Sequence, residues 1–239
     1  MTAPTEPSAT FPATLFDYNG VLVDDELVHL AAFQDALAPL GIEISEADYW
    51  ERYLGFDDVG AFGAMLTDAG RQPTEEQVRA LVEAKRPLYL ARAERGLRPF
   101  AGAAKLLQQR ARSGPVGIVS GALRDEIELG LTTLGVRGDV AFVVAAEDAE
   151  ASKPDPSGYR LGVLRLAESM DRTLAERALV IEDSIAGVQA AKAAGLPCVA
   201  VSHSYPAADL ETAGADAVVS QLDGLDEATL GALYRRLYG

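Results

Sequence analysis

A chain of 239 residues, 49% hydrophobic and 24% charged, has enough apolar content for one sizeable core or for a core and a smaller second domain. Its 36 acidic residues outnumber 21 basic ones, a formal net charge of -15, which disfavours nucleic acid and anionic membrane surfaces as partners. No apolar run approaches the roughly 18 residues of a membrane span, and a single cysteine excludes an internal disulfide and fits a reducing, cytoplasmic setting.

In chain order, the first eleven residues are rich in Pro, Thr and Ser and read as a loose tail, with neither the basic start nor the apolar stretch of a secretory signal. Ala13–Phe16 is the first apolar run. From about Glu26 to Arg95 only helical patterns follow. Ser45 precedes an acidic first turn as an N-cap, Thr74 to Gln77 is a capping box, and Pro87 is expected to kink or break its helix. Further apolar runs come at Val116–Val119, Ala141–Val144, Ala178–Ile181, Cys198–Val201 and Ala217–Val219. They lack polar alternation, as strands buried on both faces of a parallel sheet do. Helical segments near 122–134, 157–169 and 185–194 separate them, the last stopped by Gly195 and Pro197.

These elements predict an α/β fold, a Rossmann-like three-layer sandwich with a parallel sheet, interrupted by an all-helical block. The expected division is a tail over 1–11, a core over 12–24 and 97–239, and a helical domain over 25–96. Hinges are expected near Asp24–Glu26 and Gly96–Pro99. Cys198 lies in an apolar run and reads as a buried, inert thiol.

Ligands of open α/β sheets bind at the carboxyl ends of the strands. There the chain places Asp17-Tyr18-Asn19-Gly20, Ser120-Gly121 and Glu182-Asp183-Ser184, with Lys153 some residues beyond the third core strand. Carboxylate oxygens suit a small hard cation such as Mg²⁺, and a hydroxyl, free N–H groups and a lysine suit a phosphate. Glu182 and Asp183 could alternatively be acids favoured by a helix N-terminus, but that reading leaves Asp17, Ser120 and Lys153 at matching strand ends unexplained.

With these motifs in this order, the chain resembles a haloacid dehalogenase superfamily hydrolase of the β-phosphoglucomutase-like branch. The resemblance runs through Asp17 to Asp24, Ser120-Gly121, Lys153-Pro154 and Glu182-Asp183-Ser184 with Gly187, and the helical block matches the cap of that branch. It implies Asp17 as nucleophile, forming an aspartyl-phosphate. It implies Mg²⁺ held by Asp17, Asp183 and the Asn19 backbone carbonyl, with Glu182 in or near the coordination shell. Ser120, the Gly121 N–H and Lys153 would hold the transferring phosphoryl group. The implied partner is a small phosphorylated metabolite, and the chain is expected to be a monomer or weak dimer.

One position departs from the family pattern. Where relatives carry an aspartate that protonates the leaving oxygen and then activates water, this chain carries Asn19. An amide has no proton to exchange near neutral pH. Either the substrate's leaving group needs no proton, as in an acyl phosphate, or the cap helps; or the protein binds a phosphorylated ligand with little turnover; or the asparagine is a substitution that stalls the reaction. A sugar-phosphate mutase is a further alternative, weakened because Val59 stands near the place where some mutases have an arginine. Dehalogenase chemistry also starts from an aspartate, but the Lys153 and Glu182-Asp183 motifs favour phosphate and metal. His29, Arg52 and Arg124 are candidate substrate contacts, His29 from the hinge, Arg52 from the cap and Arg124 from the helix after Ser120. His203 reads as a loop residue, and Tyr49, Trp50 and Tyr53 as cap packing rather than a sugar platform.

Overall fold

The computed structural model describes residues 10–239. Strands β1 (Thr14–Phe16), β4 (Val116–Val119), β5 (Phe142–Val144), β6 (Leu179–Glu182), β7 (Cys198–Val201) and β8 (Ala217–Val219) form one parallel sheet in the order β5-β4-β1-β6-β7-β8. Each expected run forms its strand to within a residue, because neighbouring side chains must both be apolar when both faces are covered. Leu15 and Val180 face one core cluster, Phe16 and Ile181 the other. Helices α5 (Ala103–Ser113), α6 (Arg124–Thr133) and α11 (Glu227–Tyr238) cover the second face, and α7 (Ser157–Ala167), the short α8 (Arg172–Ala175), α9 (Ile185–Ala193) and α10 (Ala207–Ala213) the first. Cys198 is buried, and desolvation pushes its thiol far above the usual range, as an inert core residue requires.

Chain order reverses at β1, which pairs with β4 on one side and β6 on the other. That junction opens a crevice at the strand carboxyl ends, and such a switch point is where doubly wound sheets bind ligands.

The helical insertion enters after β2 (Val23–Asp24) and leaves through β3 (Arg98–Pro99), and the two strands pair antiparallel. It contains α1 (Glu26–Leu37), α2 (Glu46–Asp48), a π-helical turn over Tyr49–Tyr53, α3 (Asp58–Asp68) and α4 (Glu75–Gly96). Ser45 caps α2, and Thr74 with Gln77 closes the capping box of α4. Phe33, Leu37, Tyr53, Phe62, Met65 and Val82 form the insertion's own core. Contrary to expectation, Pro87 does not end α4, which continues for nine residues beyond it to Gly96. Val82, Lys85, Tyr89 and Ala93 bury one face on both sides of the proline, and that packing offsets the lost backbone bond.

The expected tail needs one correction. Residues 1–9 lie outside the described residues, but Phe11 is fully buried against the core and its carbonyl accepts from the buried Arg110 at 2.6 Å. Arg110 also donates to Thr14 Oγ1 and Glu227, tying the entry to β1 to the first turn of α11. An aromatic residue at that place gains more from burial than its backbone loses in freedom. Among the described residues no helix is long and apolar enough to cross a membrane.

Candidate active site

A cleft of about 800 Å³, open to solvent, lies between the carboxyl ends of β1, β4 and β6 and the helical insertion. Asp17 ends β1, Ser120 ends β4, and Glu182 and Asp183 end β6. Oxygens of Asp17, Glu182 and Asp183 lie within 4.8 Å of one another. Lys153 Nζ reaches in from the β5–α7 connection and sits 2.6 Å from both Asp17 Oδ1 and Glu182 Oε1, and it also donates to the Val119 carbonyl at 3.2 Å.

One ammonium among three buried carboxylates sets the local electrostatics. Burial pushes Asp17 up to about 6 despite Lys153. Burial and the charges of Glu182 and Asp17 raise Asp183 far above the carboxylate range. Burial acts on Glu182 as well, but Lys153 outweighs it and leaves that group lowered. The deficit of positive charge falls on Asp17 and Asp183, and a cation there would relieve it. The donor set is all oxygen, which suits a hard divalent ion. Glu182 is occupied otherwise. Its Oε1 also accepts from Tyr159, and its Oε2 accepts from the N–H groups of Asp183 and Ser184 and from Ser184 Oγ. The metal-side carboxyls with free capacity are Asp17, whose Oδ2 has no partner among the described residues, and Asp183, whose Oδ2 accepts from Ser204 Oγ.

Two glycines permit this density. Gly20 has a φ of +72, and a Cβ there would fall 1.9 Å from Asp183 Oδ2. Gly187, in the first turn of α9, leaves the space filled by the Glu182 carboxylate, which would lie 1.8 Å from an added Cβ. Both follow from the local motif. The residues that brace the loop were not evident in the sequence. His203 Nδ1 meets the Gly20 carbonyl at 2.8 Å while its ring stacks on Phe100, so this loop histidine supports the site from behind.

Asn19 lines the cleft beside Asp17. Its amide nitrogen donates to Asp25 Oδ2 at 2.9 Å and lies 3.2 Å from His29 Nε2, and its Oδ1 accepts weakly from Ser120 Oγ at 3.4 Å. No hydrogen bond among the described residues ends on the Asn19 backbone carbonyl, and the Gly121 N–H is likewise unengaged. Behind Asn19 runs a buried network with no signal in the sequence. Lys85 of α4, fully buried, reaches Asp58 and His29 Nδ1 and lies 3.8 Å from Glu126 of α6. His29 Nε2 faces Asp25 at 3.3 Å, and although burial and Lys85 act to lower the imidazole, the charges of Asp25 and Glu126 leave it raised above its ordinary value. Tyr89 donates to Asp25 as well.

The structure brings together Asp17, Asn19, His29, Ser120, Gly121, Lys153 and Asp183 around the cleft, with Glu182 directly behind. It does not bring Arg52 or Arg124. Arg52 pairs with Asp68 and lies against Tyr53, and Arg124 pairs with Asp148 and reaches the Val143 carbonyl. Each finds a carboxylate near its own helix, and neither lines the cleft. Of Tyr49, Trp50 and Tyr53 only Tyr49 lines the cleft, donating to Glu26 at 2.6 Å; Tyr53 bonds Asp68, and Trp50 bonds Glu46 on the outside.

A family model described as haloacid dehalogenase-like hydrolase matches residues 14–201. Validoxylamine A 7'-phosphate phosphatase of Streptomyces hygroscopicus subsp. limoneus is 36% identical over 122 residues, which is 51% of this chain and 54% of that protein. Protein CbbY of Cereibacter sphaeroides is 31% identical over 225 residues, covering 89% of this chain and 94% of that one. The first of these matches therefore spans about half of the relative's length, and the second nearly all of it. β-Phosphoglucomutase from Clostridium difficile has the same fold, with a TM-score of 0.78 over 95% of this chain and 98% of that one at 20% identity. The motifs, the sheet order, the helical insertion and these matches agree: the chain belongs to the haloacid dehalogenase-like hydrolases.

Proposed function

We propose that the protein is a Mg²⁺-dependent phosphatase or phosphotransferase acting on a small phosphorylated metabolite through an aspartyl-phosphate on Asp17. The observation that carries this reading is the Asp17 carboxylate at the sheet's switch point, with Oδ1 fixed by Lys153, in the lining of a cleft that also presents Ser120 and Gly121. Asp17 and Asp183 would hold Mg²⁺ with the Asn19 carbonyl, and Glu182 would position Lys153 and the turn after β6. The ion would neutralise phosphoryl oxygens and let a carboxylate approach a phosphate. The helical block over 25–96 would act as the cap, closing through contacts such as Asp57 with Ser152 and Tyr205 with the Leu54 carbonyl.

In the first half-reaction Asp17 Oδ2 attacks phosphorus and the bond to the leaving oxygen breaks, with Ser120 Oγ, the Gly121 N–H and Lys153 Nζ on the other phosphoryl oxygens. In the second, water attacks the aspartyl-phosphate, releasing phosphate and restoring the carboxylate. Both halves need a proton moved: onto an alkoxide leaving group, then from water. Asn19 does neither, so turnover of ordinary phosphomonoesters is slow, whereas an acyl phosphate, whose leaving carboxylate needs no proton, reacts more readily. No basic residue lines the cap side of the cleft among the described residues apart from His29, which argues against a mutase that must grip a second phosphate. The printed name of the phosphatase relative agrees with a small phosphomonoester.

Phosphate release from a panel containing acetyl phosphate and sugar phosphates tests the reading. Activity should require Mg²⁺, favour acetyl phosphate, and disappear in Asp17→Ala. Activity that survives Asp17→Ala would remove the aspartyl-phosphate from the account.

A further inference from the structure

We propose that the substrate is a single phosphomonoester whose organic part carries a positive charge, an ammonium group that sits against the cap wall of the cleft. The inference rests on the phosphoryl-transfer reading above and adds the class of the leaving group.

The wall facing Asp17 is acidic and aromatic. Glu26 from the first turn of α1 and Asp57 and Asp58 from the start of α3 line it, with Phe33, Tyr49 and Phe56 between them. Asp58 is neutralised by Lys85. Glu26 and Asp57 have no cationic partner among the described residues. Only Oε2 of Glu26 is engaged, by the Tyr49 hydroxyl, and burial raises the carboxyl above its ordinary value even with the charges of His29 and Lys85 acting on it, so a charged partner in the cleft would stabilise the carboxylate. Asp57 is fixed in place: its Oδ1 caps the Gly60 N–H at 2.8 Å, and its Oδ2 accepts from Ser152 across the cleft.

Basic groups that could reverse this field are tied elsewhere. His29 lines the cleft but faces Asp25 at 3.3 Å, Lys85 is fully buried behind the wall, Arg52 pairs with Asp68, Arg86 with Asp125, and Arg124 with Asp148. Lys153 is shared between Asp17 and Glu182. A Mg²⁺ ion with the transferring phosphate would balance the core side of the cleft and leave Glu26 and Asp57 uncompensated. A second phosphate or a carboxylate on the substrate would meet these two charges at close range in a partly desolvated space. An ammonium gains from the same charges and from the faces of the neighbouring rings.

A homologous series of alkyl phosphates ending in an amine, a hydroxyl, a carboxylate or a second phosphate, at chain lengths from two to six carbons, reads the preference without assuming where the charge must lie. With Mg²⁺ present, kcat/KM at the best length should be about tenfold higher for the amine than for the hydroxyl, and lowest for the carboxylate and the bisphosphate. Glu26→Gln and Asp57→Asn should each move the amine-to-hydroxyl ratio toward one; asparagine at 57 still caps the helix. Calorimetric titration of the same compounds into Asp17→Asn measures the preference by binding alone. An absence of turnover for every ester would count against the phosphatase reading, and the titration would still decide the charge preference. A carboxylate or bisphosphate that equals the amine, or a ratio unchanged in both cap variants, overturns the proposal.

Discussion

An amide at position 19 keeps the shape of a carboxylate and gives up its proton chemistry. In the structure it is well held: Asp25 accepts from the amide nitrogen and Ser120 donates to the amide oxygen, so the side chain has a defined orientation beside Asp17. The same contacts show what a carboxylate would face there, since an acid at 19 would lie next to Asp25 and share the proton of His29 Nε2. Asn19→Asp is therefore expected to raise turnover of alkyl phosphomonoesters by about 10² to 10⁴, the usual contribution of a positioned acid–base group, and to speed acetyl phosphate turnover through the hydrolysis half alone, leaving phosphorylation of Asp17 by acetyl phosphate little changed. Single-turnover and steady-state rates on the two substrate types check this, and an Asn19→Asp protein no faster on alkyl phosphomonoesters would show that proton transfer is not what limits the protein. At this scale Asp17, Ser120, Lys153 and Asp183 were legible in the sequence because each follows an apolar run that can only be a strand. Arg52 and Arg124 were not. A helix arginine finds a nearby carboxylate more readily than a distant cleft, and the pairing Asp68 and Asp148 provide cannot be read from spacing alone.

Among the elements, α4 has the most to explain. Its sequence reads as a capped helix kinked or broken at Pro87, yet Lys85 and Tyr89 are fully buried at the joint between insertion and core. Lys85 finds Asp58 27 positions away, a separation at which no local pattern pairs them. The joint is crowded with acid: Oδ1 of Asp25, Oδ2 of Asp58 and Oε1 of Glu126 are buried without a hydrogen bond. Burial pushes Glu126 up to about 7 from 4.5, even with Lys85 and His29 nearby. A carboxyl whose folded value is raised favours the folded state while protonated. That contribution is present below about 4.5 and is lost as pH rises through about 7. The fall in thermal stability between pH 5 and pH 8 should be smaller in Glu126→Gln than in the parent, because the amide still accepts from the Leu123 N–H and carries no charge. Identical pH profiles of melting temperature in the two proteins would place Glu126's titration outside the balance. The apolar runs located β4, β7 and β8 to the residue, since side chains covered on both faces leave the sequence no alternative.

For the whole molecule, two features combine. The sheet order puts β1 between β4 and β6 and so gathers residues from positions 17 to 183 at one crevice. The net charge of -15 makes that crevice hostile to phosphate unless positive charge is supplied locally. Lys153 supplies part of it, while burial and the neighbouring carboxylates still leave Asp17 and Asp183 raised. The strand alternation made the fold class legible, and the lack of strands between Glu26 and Arg95 made the insertion legible. What the insertion presents to the cleft was not, because the facing of Glu26, Asp57 and Tyr49 depends on packing around Phe33 and Phe62 that no periodicity specifies.

Asp17 is expected to accept a phosphoryl group when Mg²⁺ is bound. Intact-mass spectrometry after brief exposure to acetyl phosphate tests it most directly, since Asn19 slows the hydrolysis that would otherwise discharge the adduct. The expected result is one added phosphoryl group, mapped to Asp17, that forms with Mg²⁺ and fails to form with a chelator or in Asp17→Ala. An adduct that persists in Asp17→Ala, or its absence in the parent protein under conditions where acetyl phosphate is consumed, would contradict the account.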